Sequence, residues 1–439
     1  MNNSKLSAAL ISLGCDKNTV DSERMLGMLA SAGINFTGNL SQADIIIINT
    51  CGFLQDAVDE SKEEIENAIK FKRAGTCKAL VVTGCAATRY RDEFLQNPDV
   101  DVVLGVKEYD QFSQRVADVL GLKNALSPAS PRIASTPKHY AYLRIAEGCD
   151  KHCTYCTIPS IRGAYESVPM DYLVAEATLL AEAGVKELVL VAQDTILYGT
   201  DIYSEQHLHT LLQKLSKISG IKWIRVLYCY PEHIYDALLE EMAQNEKVLA
   251  YLDLPIQHAS DKILKLMNRK SREAQIRENI AKIRAALPDA VLRTTLITGF
   301  PGETKKDFQV LHDFISEIKF DNLGVFAYSR EEGTPADKLD DHLQEKTKQD
   351  RRDLLMALQQ EISTNKLANK NGHIYTVVVD GADENGVYFG RSYAHAPDID
   401  GLIFINSEHE LEIGEFINVK ITETWEYDMM GEALHESAK

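Results

Sequence analysis

The stretch EGCDKHCTYCTIPSIRG, Glu147 to Gly163, places Cys149, Cys153 and Cys156 in the pattern CxxxCxxC. Thiolates this close together bind metal, and their number limits which metal. A structural zinc ion takes four protein ligands, as does an ordinary cubane iron–sulfur cluster. This run supplies three. Zinc knuckles pair CxxC motifs at a distance, and the chain has no second CxxC. The spacing therefore predicts a 4Fe–4S cluster with one iron left without a protein ligand. Such an iron can take a small molecule through nitrogen and oxygen, which makes the cluster a reagent. The competing readings are a zinc site completed from elsewhere and a chance grouping.

Three more cysteines share an address. Cys15 closes SLGC, Cys51 closes INTC and Cys85 closes TGC, each directly after a short apolar run. If those runs are parallel strands of one doubly wound sheet, their carboxyl ends line one edge, where ligands bind. Cysteines 36 and 34 residues apart in sequence would then converge in space. Free cysteine is also among the most buried residue types, so three core cysteines is the alternative. The common position at three strand ends favours a second metal site over three separate core thiols. Cys77 and Cys229 have no such placement, and Cys229, within LYCYP, reads as core. His258, in PIQHAS, reads as a structural hydrogen-bonder at a strand end.

The elements that must position these residues follow from hydrophobic periodicity. AALISLG, ADIIIINT, KALVVTG and VDVVLG read as strands. Helical runs at Val20 to Ser31, Ala57 to Phe71 and one ending near Leu122 alternate with them. That order predicts an α/β domain over 1–122 with a doubly wound parallel sheet. Residues 123–139, rich in Ser, Pro and Ala, read as a linker. The alternation restarts with AYLRIAEG, ELVLVAQ, WIRVLYCY, AYLDLPIQ, VLRTTLITG and NLGVFAYS. Helices between them include Met170 to Ala183, Glu232 to Ala243, Lys262 to Ala286 and Thr304 to Ile318. Six repeats predict an open (β/α)6 barrel over 140–370, closed off by a charged helix from Gln344 to Asn369. From 371 to 439, IYTVVVDG, GVYFGRS, GLIFINS and EFINVKITETWEYD read as a small antiparallel β-barrel.

Composition narrows the class. The chain of 439 residues is long enough for several cores, and 45% hydrophobic with 26% charged residues is ordinary for a globular protein. The start lacks a Sec-like signal and the longest apolar run is DIIIIN, so a cytoplasmic, non-membrane protein is expected. Eight cysteines in such a chain suggest metal or redox chemistry, not a disulfide scaffold. The net charge of −18 argues against non-specific nucleic-acid binding. Residues 371–439 hold 14 acidic against 3 basic side chains, a balance of −11, whereas the preceding 370 residues balance at −7.

CxxxCxxC at the head of a (β/α) barrel, with the aromatic Tyr155 before the last cysteine, resembles the radical S-adenosylmethionine superfamily. More narrowly, EGCDKHCTYCTIPSIRG, LPIQHASDKILKLMNR and GFPGETKKDF resemble its methylthiotransferases. The resemblance covers nearly the whole chain. It implies an N-terminal domain with three further cluster cysteines, the radical barrel, and a C-terminal TRAM β-barrel. SLGCDKNTVDSE, VAQDT and HYAYLRIAEGC look most like the branch that modifies an aspartate of a small-subunit ribosomal protein.

The resemblance further implies two 4Fe–4S clusters and S-adenosyl-L-methionine as cofactors. Cys149, Cys153 and Cys156 would hold the radical-generating cluster, and Cys15, Cys51 and Cys85 an auxiliary cluster carrying the inserted sulfur. Removing an unactivated hydrogen atom needs a cofactor radical, because no side chain abstracts one. Tyr155 is placed beside the cofactor's adenine. Gln193 ends the second barrel strand, where many members carry Gly-Gly-Glu; AQDT here departs from that pattern. Gly299 and Gly302 match a glycine-containing fifth-strand motif, with Glu303 offset by one residue from the usual spacing. A one-electron reductant such as flavodoxin or ferredoxin is implied as partner. The sister class modifies an adenosine of transfer RNA and shares the cysteines, so charge must separate the two. An acidic C-terminal barrel suits a basic ribosomal protein, free or in the ribosome, and argues against direct RNA binding. The reading from another class is a non-catalytic iron–sulfur electron-transfer protein.

Overall fold

The computed structural model describes residues 6–122 and 131–434, in two compact units. Of the described residues, the first unit comprises those up to Thr136 with Tyr142–Glu166 and Ser329–Asp337. The second comprises Pro137–Ala141, Ser167–Tyr328 and those from Lys338 onward. Residues 123–130 of the expected linker lie outside the described residues.

In the first unit, five parallel strands form a sheet: β1 (Ser7–Ser12), β2 (Asn35–Phe36), β3 (Ile45–Thr50), β4 (Ala79–Gly84) and β5 (Val102–Gly105). Their order is β2-β1-β3-β4-β5. Every residue of β3 and β4 is buried because helices cover both faces. Ile45, Ile47 and Val81 pack with Met25, Leu29, Phe112 and Val116 on one face. Ile46, Ile48, Leu80 and Val82 pack with Ile65, Ile69, Ala86 and Phe94 on the other. Two-residue alternation thus serves two cores at once.

The first helix runs Asp16–Ser31 and so starts immediately after Cys15, earlier than the expected Val20. Its first turns carry Lys17, Asn18 and Asp21, which are buried although polar. Apolar periodicity is blind to such a start. The two-residue strand β2 is likewise too short to read from sequence.

Strand β6 (Tyr140–Arg144) is followed by the cysteine loop, flanked in sequence by the short strands β7 (Ala146–Glu147) and β8 (Glu166–Ser167). Then come β9 (Glu187–Val191), β10 (Trp223–Val226), β11 (Val248–Asp253), β12 (Val291–Thr298) and β13 (Asn322–Ala327). The sheet order β6-β9-β10-β11-β12-β13 follows the chain, and it ends at β13 without returning to β6. This is the open six-stranded barrel expected from the repeats.

The helix expected from Lys262 to Ala286 is two helices, Asp261–Leu266 and Glu273–Ala286. A Schellman stop ends the first: Asn268 is left-handed at φ 57°, its amide donates to Lys265 O (3.0 Å), and Arg269 N donates to Leu264 O (2.8 Å). Arg269 is then buried, with Nη2 on Pro255 O at 2.7 Å. The helix Glu345–Ala368 closes this part of the chain as expected.

The C-terminal strands are β14 (Ile374–Ala382), β15 (Tyr388–Arg391), β16 (Ile403–Asn406), β17 (Phe416–Thr424) and β18 (Met429–Leu434). They close a barrel in the order β14-β15-β16-β18-β17 around Val377, Val379, Ile403, Val419 and Ile421. Four pairings are antiparallel and β16–β18 is parallel. β18 escapes the sequence pattern because Gly431, at its centre, lies against Lys420 O and carries no side chain to alternate.

A buried charge chain joins this barrel to β9 and β10. Glu187 accepts from Arg225 Nε and Arg391 Nη1, each at 2.8 Å. Arg391 also forks onto Asp380 (2.7 and 2.9 Å), whose carboxylate meets His139 Nε2 at 2.7 Å. Among the described residues no helix is long and apolar enough to cross a membrane.

Candidate iron–sulfur site

The first unit brings Cys15, Cys51 and Cys85 to adjacent strand ends. Because β1, β3 and β4 are neighbours, the loops that leave them emerge side by side. Cys15 caps the helix Asp16–Ser31, Cys51 follows β3, and Cys85 opens the short helix Cys85–Arg89 after β4. Two glycines permit this crowding. A Cβ on Gly52 would lie 2.6 Å from Ala86 N and 2.7 Å from the Cys85 carbonyl carbon. Gly84, left-handed at φ 98°, would put one 2.5 Å from Thr50 O.

Asn18 pins the three ends together. Its Nδ2 donates to Leu13 O (2.8 Å) and Thr50 O (3.0 Å), and its Oδ1 lies 3.7 Å from Cys85 Sγ. Cys15 is exposed, Cys51 partly so and Cys85 buried; none of the eight cysteines forms a disulfide. Burial pushes the Cys85 thiol up to about 12, opposed by the Arg162 guanidinium. Burial also raises Cys51, opposed first by the Phe53 amide. Iron, which binds thiolate, would pull both toward the ionised form.

Cys149, Cys153 and Cys156 belong to the same unit. Gly148, at φ 77°, turns the chain so that Cys149 N donates to Gly163 O at 2.9 Å. Within the loop, Lys151 N points at Cys149 Sγ and Ile158 N at Cys156 Sγ, each at 3.4 Å. Amides aimed at sulfur stabilise thiolate ligands and help set cluster potentials. Tyr155 is half-buried beside Cys156 in the chain. Among the described residues, no three His, Cys, Asp or Glu side chains are arranged around a single metal ion. A cubane places each thiolate on a separate iron, which needs wider spacing than one ion does. The donor set, three cysteines per group with N–H groups directed at the sulfurs of Cys85, Cys149 and Cys156, fits iron–sulfur chemistry.

Sequence reasoning missed the polar groups between the two sets. Arg162, from the helix Ile158–Arg162 after the loop, is 1% exposed. Its Nη1 donates to Glu147 Oε2 (2.8 Å), and Nη2 to Asn18 Oδ1 (2.5 Å) and Cys85 Sγ (3.4 Å). Burial works against its charge, but Glu147, Cys85 and Asp21 hold it firmly protonated. Arg144 pairs with Asp21 and with Glu147 (2.8 Å), so two arginines balance two carboxylates. Glu147 and Arg162 stand inside the cysteine motif, yet nothing in their spacing marks a partner 77 residues away. Glu331 accepts from Gln55 N (3.1 Å) and Arg89 Nη1 (2.9 Å), contacts that no sequence signal announces.

The remaining candidates lie in the second unit. Gln193 follows β9 and is half-buried. Gly299 follows β12 at φ 71°, with its amide held by Glu303 Oε2 at 2.8 Å. Gly302 turns at φ 79° and donates to Asp341 O at 3.1 Å. His258 is buried and its Nδ1 accepts from Ala259 N (2.9 Å) and Ser260 N (2.8 Å), the hydrogen-bonding role expected of it. Cys77 and Cys229 are buried.

Family profiles match three segments: "Uncharacterized protein family UPF0004" over 7–105, "Radical SAM superfamily" over 143–315 and "TRAM domain" over 372–434. Curated relatives match over the full length. A protein of Acetivibrio thermocellus named "Ribosomal protein uS12 methylthiotransferase RimO" is 46% identical, covering 99% of this chain and 100% of that one. Proteins of the same name from Clostridioides difficile and Clostridium perfringens are 46% and 48% identical at the same coverage. Among solved structures, the radical S-adenosylmethionine methyltransferase TsrM of Kitasatospora setae, with cobalamin and a [4Fe-4S] cluster bound, superposes with TM-score 0.56. It shares 13% identity over 76% of this chain and 77% of that one. The cobalamin-dependent S-adenosylmethionine radical enzyme OxsB gives 0.52 at 11% identity, over 82% and 56%. At such identities the likeness is one of fold.

Proposed function

The chain belongs to the RimO family of ribosomal protein uS12 methylthiotransferases, radical S-adenosylmethionine transferases, and from that premise we propose that it methylthiolates the β-carbon of an aspartate of uS12. The observation that carries the two-cluster form of this reading is the pair of cysteine triads within one compact unit.

Bound there, a 4Fe–4S cluster with S-adenosylmethionine supplies the hydrogen-atom abstraction that no side chain can perform, and an auxiliary 4Fe–4S cluster supplies the sulfur. Cys149, Cys153 and Cys156 hold the first, and the amides of Lys151 and Ile158 favour the thiolate form of its ligands. Cys15, Cys51 and Cys85 hold the second, fixed by Asn18 at the three strand ends. From the family resemblance we assign Tyr155, Gln193, Gly299 and Gly302 as the residues that would bind S-adenosylmethionine. Electrons come one at a time from a carrier such as flavodoxin or ferredoxin. The domains are 1–122, 140–370 and 371–439, with 123–139 as linker.

Charge supports a protein substrate. The −11 balance of 371–439 repels a phosphate backbone and attracts a basic ribosomal protein, free or within the small subunit. Mass spectrometry of uS12 and transfer RNA from cells lacking this protein tests the proposal. We expect loss of about 46 Da, one methylthio group, from uS12. Loss from transfer RNA, with uS12 unchanged, would overturn it.

A further inference from the structure

Arg162 links the two cysteine-bearing segments of the first unit directly at a cysteine sulfur. It leaves the helix that follows Cys156, and it ends on the sulfur of Cys85, a member of the other triad. Its Nη1 also donates to Glu147 and its Nη2 to Asn18. Asn18 in turn holds the carbonyls of Leu13 and Thr50, so a guanidinium anchored beside one triad fixes the pin of the other. A buried arginine with two carboxylates within reach needs no sulfur for neutrality: Glu147 is 2.8 Å and Asp21 3.6 Å away. The contact with Cys85 is therefore an additional use of a charge that is already balanced.

We propose that Arg162 is a positioning residue that donates a charged hydrogen bond to the Cys85 ligand sulfur and thereby raises the reduction potential of the auxiliary cluster. The proposal rests on the reading that Cys15, Cys51 and Cys85 hold a cluster. Reduction adds negative charge that spreads onto the ligand sulfurs. A buried guanidinium 3.4 Å from one of them favours that charge, and low local polarity strengthens the effect. The fork geometry matters as well. Lysine carries the charge but cannot span Glu147, Asn18 and Cys85 together.

The test uses the full chain with Cys149, Cys153 and Cys156 replaced by Ala, which leaves one cluster. Iron and sulfide analysis comes first. If this background holds no iron, the auxiliary-cluster reading itself fails. If about four irons remain, the midpoint is measured by redox titration monitored by electron paramagnetic resonance. Glu147→Gln with Arg162→Gln removes the guanidinium while keeping the buried charge balanced. The expected result is a potential lower by about 59 mV, a tenfold change in a one-electron equilibrium. Arg162→Lys should recover part of that shift. An unchanged potential at unchanged iron content overturns the proposal. A second measurement needs no variant to fold: with arginine labelled by nitrogen-15, electron–nuclear double resonance of the reduced cluster should show guanidinium coupling. Absence of that coupling overturns the proposal equally.

Discussion

Glu187→Ala should destabilise the second unit more than any surface change, because it strips the shared partner from two buried arginines. Glu187 and Arg225 are fully buried and Arg391 is 2% exposed. The neighbouring guanidinia hold the Glu187 carboxyl below its ordinary range against the opposing effect of burial. In the variant, Arg225 keeps hydrogen bonds to the Tyr393 and Ser392 carbonyls and its place over the Tyr251 ring, but no carboxylate, and Arg391 keeps Asp380 and the Tyr140 ring. Removing one member of a buried ion pair costs about 3–5 kcal/mol, mostly from the stranded charge. In a unit of this size that lowers the melting midpoint by roughly 10 °C.

Trp223 reports the event. It lies beside Arg225 in β10, and its ring meets Phe416 of the C-terminal barrel edge-on at 4.8 Å. In a Trp425→Phe background its fluorescence follows this junction alone. Urea is the suitable denaturant, since guanidinium salt would screen the charges under test. Glu187→Gln with Arg225→Met removes one charge of each sign and leaves the Arg391–Asp380 fork. That double variant should recover at least about 2 kcal/mol of the loss. A Glu187→Ala cost below about 1 kcal/mol, or a double variant as unstable as the sum of its singles, would refute the reasoning.

Replacing Cys149, Cys153 and Cys156 by Ala should cut anaerobically reconstituted iron from about eight to about four per chain and abolish 5′-deoxyadenosine. The same change at Cys15, Cys51 and Cys85 should leave deoxyadenosine formation and remove methylthio transfer, both read by mass spectrometry. Gly52→Ala puts a methyl group 2.6 Å from Ala86 N, so it should spread Cys51 from Cys85 and halve the iron; retention of about eight irons would count against the crowded geometry. His395 is pushed down to about 3 by burial, then by Arg225 and Arg391, with Asp380 opposing. Its folded form stays neutral while the unfolded chain takes a proton near 6.5, so stability should fall by about 1.4 kcal/mol per pH unit below 6.5. Urea midpoints between pH 7 and pH 5 should show that slope in the wild type and a shallower one in His395→Asn.

Most of the fold was legible because its cores are periodic. IIII in β3 and ELVLV in β9 announce strands covered on both faces, and the six barrel runs fall where strands form. Legibility failed where polar residues are buried or side chains are absent. The first turns of the helix at Asp16 hide Asn18 and Asp21 inside, the stop at Asn268 splits a continuous amphipathic pattern, and Gly431 blanks the centre of β18. Each failure has a physical cause that a hydrophobic template cannot carry.

The site divides the same way. Cys15, Cys51 and Cys85 could be assigned to one place because parallel strands convert equal positions after each strand into one edge, whatever lies between them. Strand order alone brings them together, and the adjacent strands β1, β3 and β4 supply it. Arg162 needs more. Its partners stand 15, 144 and 77 residues away, on three different elements, and no periodicity links them. A cysteine triad states what can be bound, since ligand number and type are chemical facts of the residues. The charges around it decide the potential at which the bound group works, and those depend on the approach of distant segments. A motif can thus identify a cluster enzyme while remaining silent on what distinguishes two triads of identical ligands; here a guanidinium lies on the sulfur of Cys85, whereas backbone amides point at those of Cys149 and Cys156.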